Sequence, residues 1–259
     1  MNFRAITDKG IVRRQNQDAY YAFCDEPAEL ALLLVCDGMG GANAGNVASK
    51  IAAQVFSEET KKCVYAGIRA EAAADAMRLA VDRANSAVFE KSNSDPLYSG
   101  MGTTMVGAVV TGKEVSVVNV GDSRAYLISG GAIRQLTRDH SVVEDMIEQG
   151  NITREESRHH PNKNLITRAV GTAPDVPCDT FIFDIKEGDR LLLCSDGLTN
   201  MLADDEILNE SLSAESIDGC CEKLLNMALT RGAPDNITIV LLERRRRSYN
   251  GRHLYRAVS

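Results

Sequence analysis

Long apolar runs are missing from this chain of 259 residues, where the longest, Leu30 to Cys36, has seven. A helix that crosses a bilayer needs about 20 predominantly apolar residues, so the sequence predicts none. The first residues, Met1 to Arg4, also lack the charged-then-apolar pattern of a secretory signal. We therefore expect neither a membrane span nor export.

Paired cysteines are missing as well. The seven cysteines are an odd number, and no two of them have a Cys-x-x-Cys spacing. A disulfide framework and a cysteine zinc site are therefore not expected. Reduced cysteines are typical of the cytoplasm, which is the location that we predict.

Positive charge is scarce outside the C-terminus. Lys and Arg number 29 against 36 Asp and Glu, and the net charge is −7. The last 17 residues hold six Arg and one Glu, which leaves −12 for the rest of the chain. An acidic body argues against a specific nucleic-acid surface and indicates clusters of carboxylates. For the basic tail, 244–259, we expect a solvated disordered end, with binding to an anionic partner as the alternative.

The order of apolar patterns predicts an α+β fold. Strand patterns come in sets and helical patterns come in pairs, which favours antiparallel sheets covered by helices over alternating βαβ units. No internal repeat or linker divides the chain, so we predict one domain over 1–243. Ser141 to about Pro161 is polar and is expected to form a mobile surface insert, called here the flap insert.

Three aspartates stand at strand ends. Asp37 follows the run Leu30–Cys36, Asp196 follows Leu191–Ser195, and Asp235 precedes the strand pattern Ile237–Leu242. One Asp-Gly after a strand is more often an ordinary turn. Three aspartates gathered at one edge of the core would repel one another, and Mg²⁺ or Mn²⁺ would resolve that conflict. The pattern favours a metal site without fixing a reaction.

Eight short motifs follow one another through most of the chain. They are Val12–Asp18, Val35–Gly41, Gly102–Thr104, Val120–Arg124, Leu136–Ser141, Thr167–Gly171, Cys194–Leu198 and Asp235–Thr238. In this order they resemble the metal-dependent, type 2C Ser/Thr protein phosphatases. The Asp-Gly-x-Gly-Gly form of Asp37–Gly41 and the compact length are similar to the bacterial branch.

The resemblance implies a four-layer αββα sandwich, in which two antiparallel sheets are flanked by helical pairs and carry the flap insert. It also implies two tightly bound Mn²⁺ or Mg²⁺ ions and a third, weaker one. The residues that it assigns to the ions are Asp37 as the bridge, Gly38 through its carbonyl, Asp196 and Asp235, Asp122 for the third ion, and Asp18 through water. Arg13 is implied as the group that binds the substrate phosphate, since a guanidinium suits two phosphoryl oxygens.

The implied activity is hydrolysis of phosphoserine and phosphothreonine in proteins by a metal-activated water. The implied partners are phosphoproteins, including a Ser/Thr protein kinase and its substrates, and we expect a monomer. The alternative is a regulatory module that binds phosphoproteins without turnover. Two positions depart from the family pattern: Met39 replaces a proposed general acid of animal members, and Gln17 replaces a common Glu. For His140, a structural or flap-hinge hydrogen bond is favoured over direct catalysis.

Overall fold

Two antiparallel β-sheets lie at the centre of the structure, a computed structural model that describes residues 1–245 and 255–258. The described strands are β1 (Asn2–Asp8), β2 (Asp18–Asp25), β3 (Leu30–Met39), β4 (Gly102–Thr103), β5 (Met105–Thr111), β6 (Glu114–Val120), β7 (Arg124–Ser129), β8 (Ala132–Gln135), β9 (Asp179–Asp184), β10 (Arg190–Cys194), β11 (Ile237–Glu243) and β12 (Tyr255–Val258). One sheet has the order β1-β11-β10-β7-β8. The other has the order β12-β2-β3-β5-β6-β9, with β4 beside β3.

Helices cover the outer face of each sheet. The described helices are α1 (Gly41–Cys63), α2 (Ala70–Ser94), α3 (Val142–Glu148), α4 (Arg154–Ser157), α5 (Asp196–Thr199), α6 (Asp204–Ser213) and α7 (Ile217–Thr230). One apolar cluster joins α1 and α2 to the β2–β3–β5 face, and another joins α5, α6 and α7 to the β10–β11 face. A third cluster lies between the two sheets. The predicted four-layer α+β sandwich is therefore confirmed.

Strand β3 is apolar at every position from Leu30 to Cys36 because both of its faces are covered. Leu32 and Leu34 belong to the cluster beneath α1 and α2, whereas Leu33 and Val35 belong to the cluster between the sheets. Successive side chains of a strand point to opposite faces, so a central strand of a four-layer fold has no polar side. The same alternation divides Leu192 and Leu193 of β10 between two clusters.

The flap insert contains the two short helices α3 and α4. A bridge between Ser141 and Ile166 closes its base, where the Val142 N–H donates to the Leu165 carbonyl at 2.9 Å. Both helices begin with a capping hydroxyl, Ser141 for α3 and Thr153 for α4. The division into a domain over 1–243 with an insert at about 141–161 stays a prediction.

The sequence predicts no regular structure from residue 244 onward, and the described part of the tail differs. The Arg244 side chain is buried and donates to the Ile185 carbonyl, while its N–H donates to the Asp189 carbonyl at 3.0 Å. Residues Tyr255–Val258 form β12, antiparallel to β2. Main-chain hydrogen bonding at a sheet edge needs no apolar periodicity, which is why the pattern gave no signal. The rest of the predicted disordered tail, 246–254 and 259, lies outside the described residues.

None of the helices in residues 1–245 and 255–258 is both long enough and apolar enough to span a lipid bilayer.

Asn85 of α2 fixes the loop that follows Val170. The Gly171 N–H donates to its Oδ1 at 2.7 Å, and its Nδ2 donates to the carbonyls of Ala173 and Pro174 at 3.0 and 2.9 Å. The side chain is buried, so its removal leaves the buried Gly171 N–H without its acceptor. The loop is thereby tied to the helical layer.

We expect Asn85→Ala to lower the free energy of unfolding by roughly 2–3 kcal/mol, because the buried Gly171 N–H and two partly exposed carbonyls lose their partner. Asn93→Ala on the same helix is the control, since Asn93 is exposed and donates only to the Phe89 carbonyl. Urea denaturation of both variants measures the difference. A loss of similar size in the two would contradict this role of Asn85.

Candidate functional site

The two sheets bring several strand ends to one edge of the inter-sheet core. In the register of β2 and β3, Asp18 is the partner of Asp37. In the other sheet Cys194 pairs with Ile239, so the end of β10 and the start of β11 lie side by side. Asp196 lies two residues after the first of these ends, and Asp235 lies two residues before the second. The antiparallel topology therefore collects carboxylates from distant parts of the chain.

Asp18 connects the two sheets. Its Oδ2 accepts hydrogen bonds from Ser195 Oγ at 2.8 Å and from Thr238 Oγ1 at 2.6 Å. The Thr238 N–H donates in turn to Ser195 Oγ at 2.9 Å. These hydroxyl groups hold the Asp18 carboxylate behind the site, and its other oxygen, Oδ1, is buried without a hydrogen-bond partner in the described structure.

Asp37 and Gly38 are fixed through their main chain. The Asp37 N–H donates to Thr104 Oγ1 at 3.0 Å, and the Asp37 carbonyl accepts from the Thr104 N–H at 2.8 Å. A Cβ atom at residue 38 would overlap the carbonyl oxygen of Gly45 and would crowd that of Gln17. Only glycine therefore lets the chain pass between β2 and α1 at this point.

Asp196 is the first residue of α5, and Asn200 of the same segment donates through Nδ2 to its Oδ2 at 2.9 Å. Its Oδ1 is buried without a hydrogen-bond partner among the described residues. Asp235 Oδ2 accepts from Arg13 Nη2 at 2.7 Å, and Asp235 Oδ1 accepts from the Asn236 N–H. The Asp235 carboxylate therefore lies at the site and at the same time accepts a hydrogen bond from the Arg13 guanidinium.

A cavity of about 650 Å³ contains most of the residues that the sequence singles out. The predicted residues that line it are Arg13, Asp37, Gly38, Asp122, Asp196 and Asp235. Asp18 is absent from the lining, because it is buried behind Asp37. Arg14 lines the cavity as well, although the motif gives it no role. A second cavity of about 720 Å³ adjoins the first through Asp122 and Asp196 and extends beneath the flap insert.

The clustered carboxylates have raised pKa values. Burial raises the pKa of Asp37 well above its ordinary value, and the negative charge of Asp18 raises it further. Burial raises the pKa of Asp18 to about 7. The pKa of Asp122 is raised by burial and then by Asp196, and that of Asp196 by burial and then by Asp235. Each shift means that negative charge is unfavourable in this arrangement unless positive charge is added.

The donor set fits a hard divalent cation. Within the part of the chain that the structure describes, two buried carboxylate oxygens, Asp18 Oδ1 and Asp196 Oδ1, lack hydrogen-bond partners. Oxygen donors are those that Mg²⁺ and Mn²⁺ prefer. As the side chains stand in residues 1–245 and 255–258, no three acidic, His or Cys groups form a ready metal cluster. Asp235 Oδ2 contacts the Arg13 guanidinium instead, at 2.7 Å.

The two departures from the family pattern both lie at the cavity. Met39 and Gln17 line it, and Gln17 Nε2 donates to the Gly41 carbonyl at 3.0 Å. A thioether cannot donate a proton, so Met39 supplies no general acid. Cys36 and Cys194 are buried behind their strand ends, where burial raises the pKa of both thiols, and they act as core residues.

Several supporting residues were not singled out from the sequence. Ser195 and Thr238 hold Asp18, and Thr104 holds Asp37. Asn236 Oδ1 accepts from the Gln17 N–H at 2.8 Å, and its Nδ2 donates to the carbonyls of Lys9 and Gln15. All four lie inside the quoted motifs, beside the ligand residues. The sequence therefore contained a feature that could have indicated these residues, namely a polar side chain next to a buried strand end.

The sequence matches the family Protein phosphatase 2C over residues 11–231. The serine/threonine phosphatase stp of Listeria welshimeri is 37% identical over 238 residues, which cover 92% of this chain and 94% of that protein. The serine/threonine protein phosphatase PstP of Mycobacterium tuberculosis is 36% identical over 247 residues, which cover 94% of this chain and 45% of that protein.

Solved structures show the same fold. The Mycobacterium tuberculosis serine/threonine phosphatase PstP/Ppp superposes with a TM-score of 0.84 at 33% identity, over 95% of this chain and 99% of that one. The catalytic domain of PstP in complex with two manganese ions gives a TM-score of 0.80 at 32% identity, over 93% and 96% of the two chains. Sequence, fold and the placement of the eight motifs agree, and the chain belongs to the protein phosphatase 2C family.

Proposed function

We propose that this protein hydrolyses phosphoserine and phosphothreonine in phosphoproteins and opposes a Ser/Thr protein kinase. The observation that carries the proposal is the cavity that Arg13 lines together with Asp37, Asp122, Asp196 and Asp235. In it, Asp196 Oδ1 is buried without a hydrogen-bond partner among the described residues. Such a site attracts divalent cations on one side and a phosphoryl group on the other. The names of the relatives, stp and PstP, support the Ser/Thr class of substrate. The seven free cysteines support action in the reducing cytoplasm.

The proposed cofactors are Mn²⁺ or Mg²⁺, two bound tightly and a third bound weakly. The residues that would hold the two tight ions are Asp37, Gly38 through its main-chain carbonyl, Asp196 and Asp235. Asp122 would hold the third ion, and Asp18 would act through water. The manganese ions of the PstP catalytic domain support this choice of metal.

Divalent cations at such a site supply positive charge to phosphoryl oxygens and lower the pKa of water. The reaction adds water to phosphorus in line with the seryl or threonyl oxygen, which leaves as the P–O bond breaks. Arg13 binds the phosphoryl oxygens and stabilises the charge that they carry in the transition state. Because Met39 cannot donate a proton, the departing oxygen takes its proton from water or from another residue.

The assay that tests the proposal compares hydrolysis of p-nitrophenyl phosphate and of a phosphoserine peptide with and without Mn²⁺. Turnover that requires Mn²⁺ on both substrates is the expected result. Binding of the phosphopeptide without release of phosphate at any Mn²⁺ concentration would instead support a regulatory module without turnover.

We expect Asp37→Asn to reduce turnover by at least about 10²-fold, since it removes a bridging oxygen and one charge from the site. The protein should stay folded, because burial and neighbouring carboxylates already make the Asp37 charge unfavourable. The control is Asp184→Asn at the exposed end of β9. Steady-state assays at saturating Mn²⁺, with circular dichroism, give the comparison, and near-normal activity of folded Asp37→Asn would refute the bridging role.

Arg13 and Arg14 both line the cavity, and we expect only Arg13 to bind the phosphate. Arg13→Ala should lower kcat/KM by roughly 10²-fold, the scale for one lost electrostatic stabiliser, while Arg14→Ala changes it only a few-fold. Affinity for Mn²⁺ should change little in either variant. Parallel titrations with Mn²⁺ and substrate measure both quantities. Equal losses of kcat/KM in the two variants would show that the phosphate contact has been assigned to the wrong arginine.

Asp122 lines both cavities, the first together with Asp37 and the second together with residues of the flap insert. We expect Asp122→Ala to keep two tight ions, to lose the weak one and to lose activity even at saturating Mn²⁺. Amide exchange in Ser141–Pro161 should become faster if the weak ion helps to order the insert. Calorimetric ion counting and hydrogen exchange provide the readouts. Unchanged turnover with three bound ions would remove Asp122 from the site, and unchanged exchange would refute only the link to the insert.

A further inference from the structure

The ring of His140 contacts the main chain beside Asp122. The main-chain N–H of Gly121 donates to His140 Nδ1 at 3.1 Å. The main-chain N–H of His140 donates back to the Gly121 carbonyl at 2.9 Å. Gly121 is buried and follows the end of β6, so its N–H has left the sheet ladder. A buried N–H requires an acceptor, and the His140 ring supplies it.

These contacts determine the tautomer of the ring. A main-chain N–H can only donate, so Nδ1 is an acceptor and carries no proton. The proton of the neutral ring is therefore on Nε2 and is donated to Asp179 Oδ2 at 3.1 Å. Arg168 Nη1 also lies 3.2 Å from Nε2, and with the proton there it donates to Asp179 Oδ1 instead. Burial lowers the pKa of His140, which favours this neutral form. Protonation of Nδ1 would replace an acceptor by a second donor opposite the Gly121 N–H.

The residues around His140 hold the same loop from a second direction. Asn119 Nδ2 donates to the carbonyls of Gly121 and Arg138 at 3.2 and 2.9 Å. Arg124 donates through Nε and Nη2 to the carboxylate of Asp139, and this pair is largely buried. Residues 138–140 therefore contact the chain on both sides of Asp122.

The opposite edge of the His140 ring faces the segment that follows the flap insert in the chain. Asp179 Oδ1 accepts from Arg168 Nη1 at 2.9 Å, so one carboxylate joins His140 to Arg168. The Thr167 N–H donates to the His140 carbonyl at 2.8 Å. The next residue, Ser141, forms the bridge with Ile166 that closes the base of the insert. His140 thus lies between the Asp122 loop and the base of the flap insert.

We propose that His140 is a positioning residue, which fixes the Asp122 loop through Gly121 and joins that loop to the base of the flap insert through Asp179. It touches neither the phosphate nor an ion. Its importance for turnover rests on the role proposed above for Asp122.

The loop needs this acceptor because its conformation is unusual. Gly121 has φ of +104°, a region that is accessible to glycine and rarely to other residues. Glycine alone would leave the loop free to adopt other conformations, since it has the least restricted backbone. The hydrogen bond to Nδ1 selects one of them. The direction of the Asp122 side chain, one residue later, depends on that selection.

The first test uses the unaltered protein. Nuclear magnetic resonance of the imidazole ¹⁵N nuclei, recorded on metal-free protein near pH 7, assigns the proton to one ring nitrogen. We expect a bare Nδ1 and a protonated Nε2 for His140. A proton on Nδ1 would overturn the proposal without any variant having to fold.

The second test separates the two ring nitrogens. Asn places its Oδ1 near the position of Nδ1 and keeps an acceptor for Gly121, whereas Gln places its amide near Nε2 and keeps the partner of Asp179. In metal-free protein, His140→Gln should exchange the Gly121 amide proton roughly tenfold faster, the scale of one lost hydrogen bond. His140→Asn should stay within about threefold of the original rate. Equal acceleration in both variants would show only a structural role and would overturn the proposal.

Activity gives the functional readout. At saturating Mn²⁺, His140→Gln should lower kcat roughly tenfold with little change in KM, and His140→Asn should restore most of it. If Gly121 exchange follows the prediction but Asp122→Ala leaves turnover intact, positioning stands and the role proposed for Asp122 fails. If exchange is the same in both variants, positioning fails whatever Asp122 does.

Discussion

Repulsion among buried carboxylates is the constraint on which the rest of this structure depends. Asp18, Asp37 and Asp196 lie at one edge of the inter-sheet core, and burial raises the pKa of each. A group whose pKa rises to about 7 on folding, as that of Asp18 does, stabilises the fold while protonated, and this contribution is lost as the pH rises through that value. A bound cation would offset the electrostatic cost of the ionised carboxylates above neutral pH. The fold therefore tolerates the cluster at a cost that a metal ion can offset.

The architecture supplies what the cluster needs, and much of this could be predicted. Uninterrupted apolar runs in β3 and β10 indicate strands covered on both faces, and an aspartate follows each run, Asp37 within β3 and Asp196 two residues after β10. Hydroxyl groups of Ser195 and Thr238 then fix Asp18 between the sheets. The order of the motifs predicted the fold, and most of the residues that it singled out line one cavity. The partners that orient those residues lie inside the same motifs, but a motif does not state which neighbour contacts which.

Other features of the structure have no counterpart in the local sequence pattern. Helix α5 is a single turn that begins at Asp196, too short for helical periodicity. Strand β12 pairs through its main chain at the edge of a sheet, so its side chains need not alternate. The Arg13–Asp235 contact joins positions 222 residues apart, and sequence spacing carries no information about such a pair. Each of these depends on tertiary placement rather than on local composition.

The Arg13–Asp235 pair also shows how the phosphate side of the site can respond to its ligand. The Arg13 side chain is 52% exposed, and the Asp235 side chain 30% exposed. Exposed ion pairs of this kind contribute only about 0–1 kcal/mol, because water competes for both groups. Moving the guanidinium from Asp235 to a phosphoryl group therefore costs little. If Arg13 binds phosphate and Asp235 binds a cation, as proposed above, the move also removes a hydrogen bond from Asp235 Oδ2, so the two binding events would favour each other.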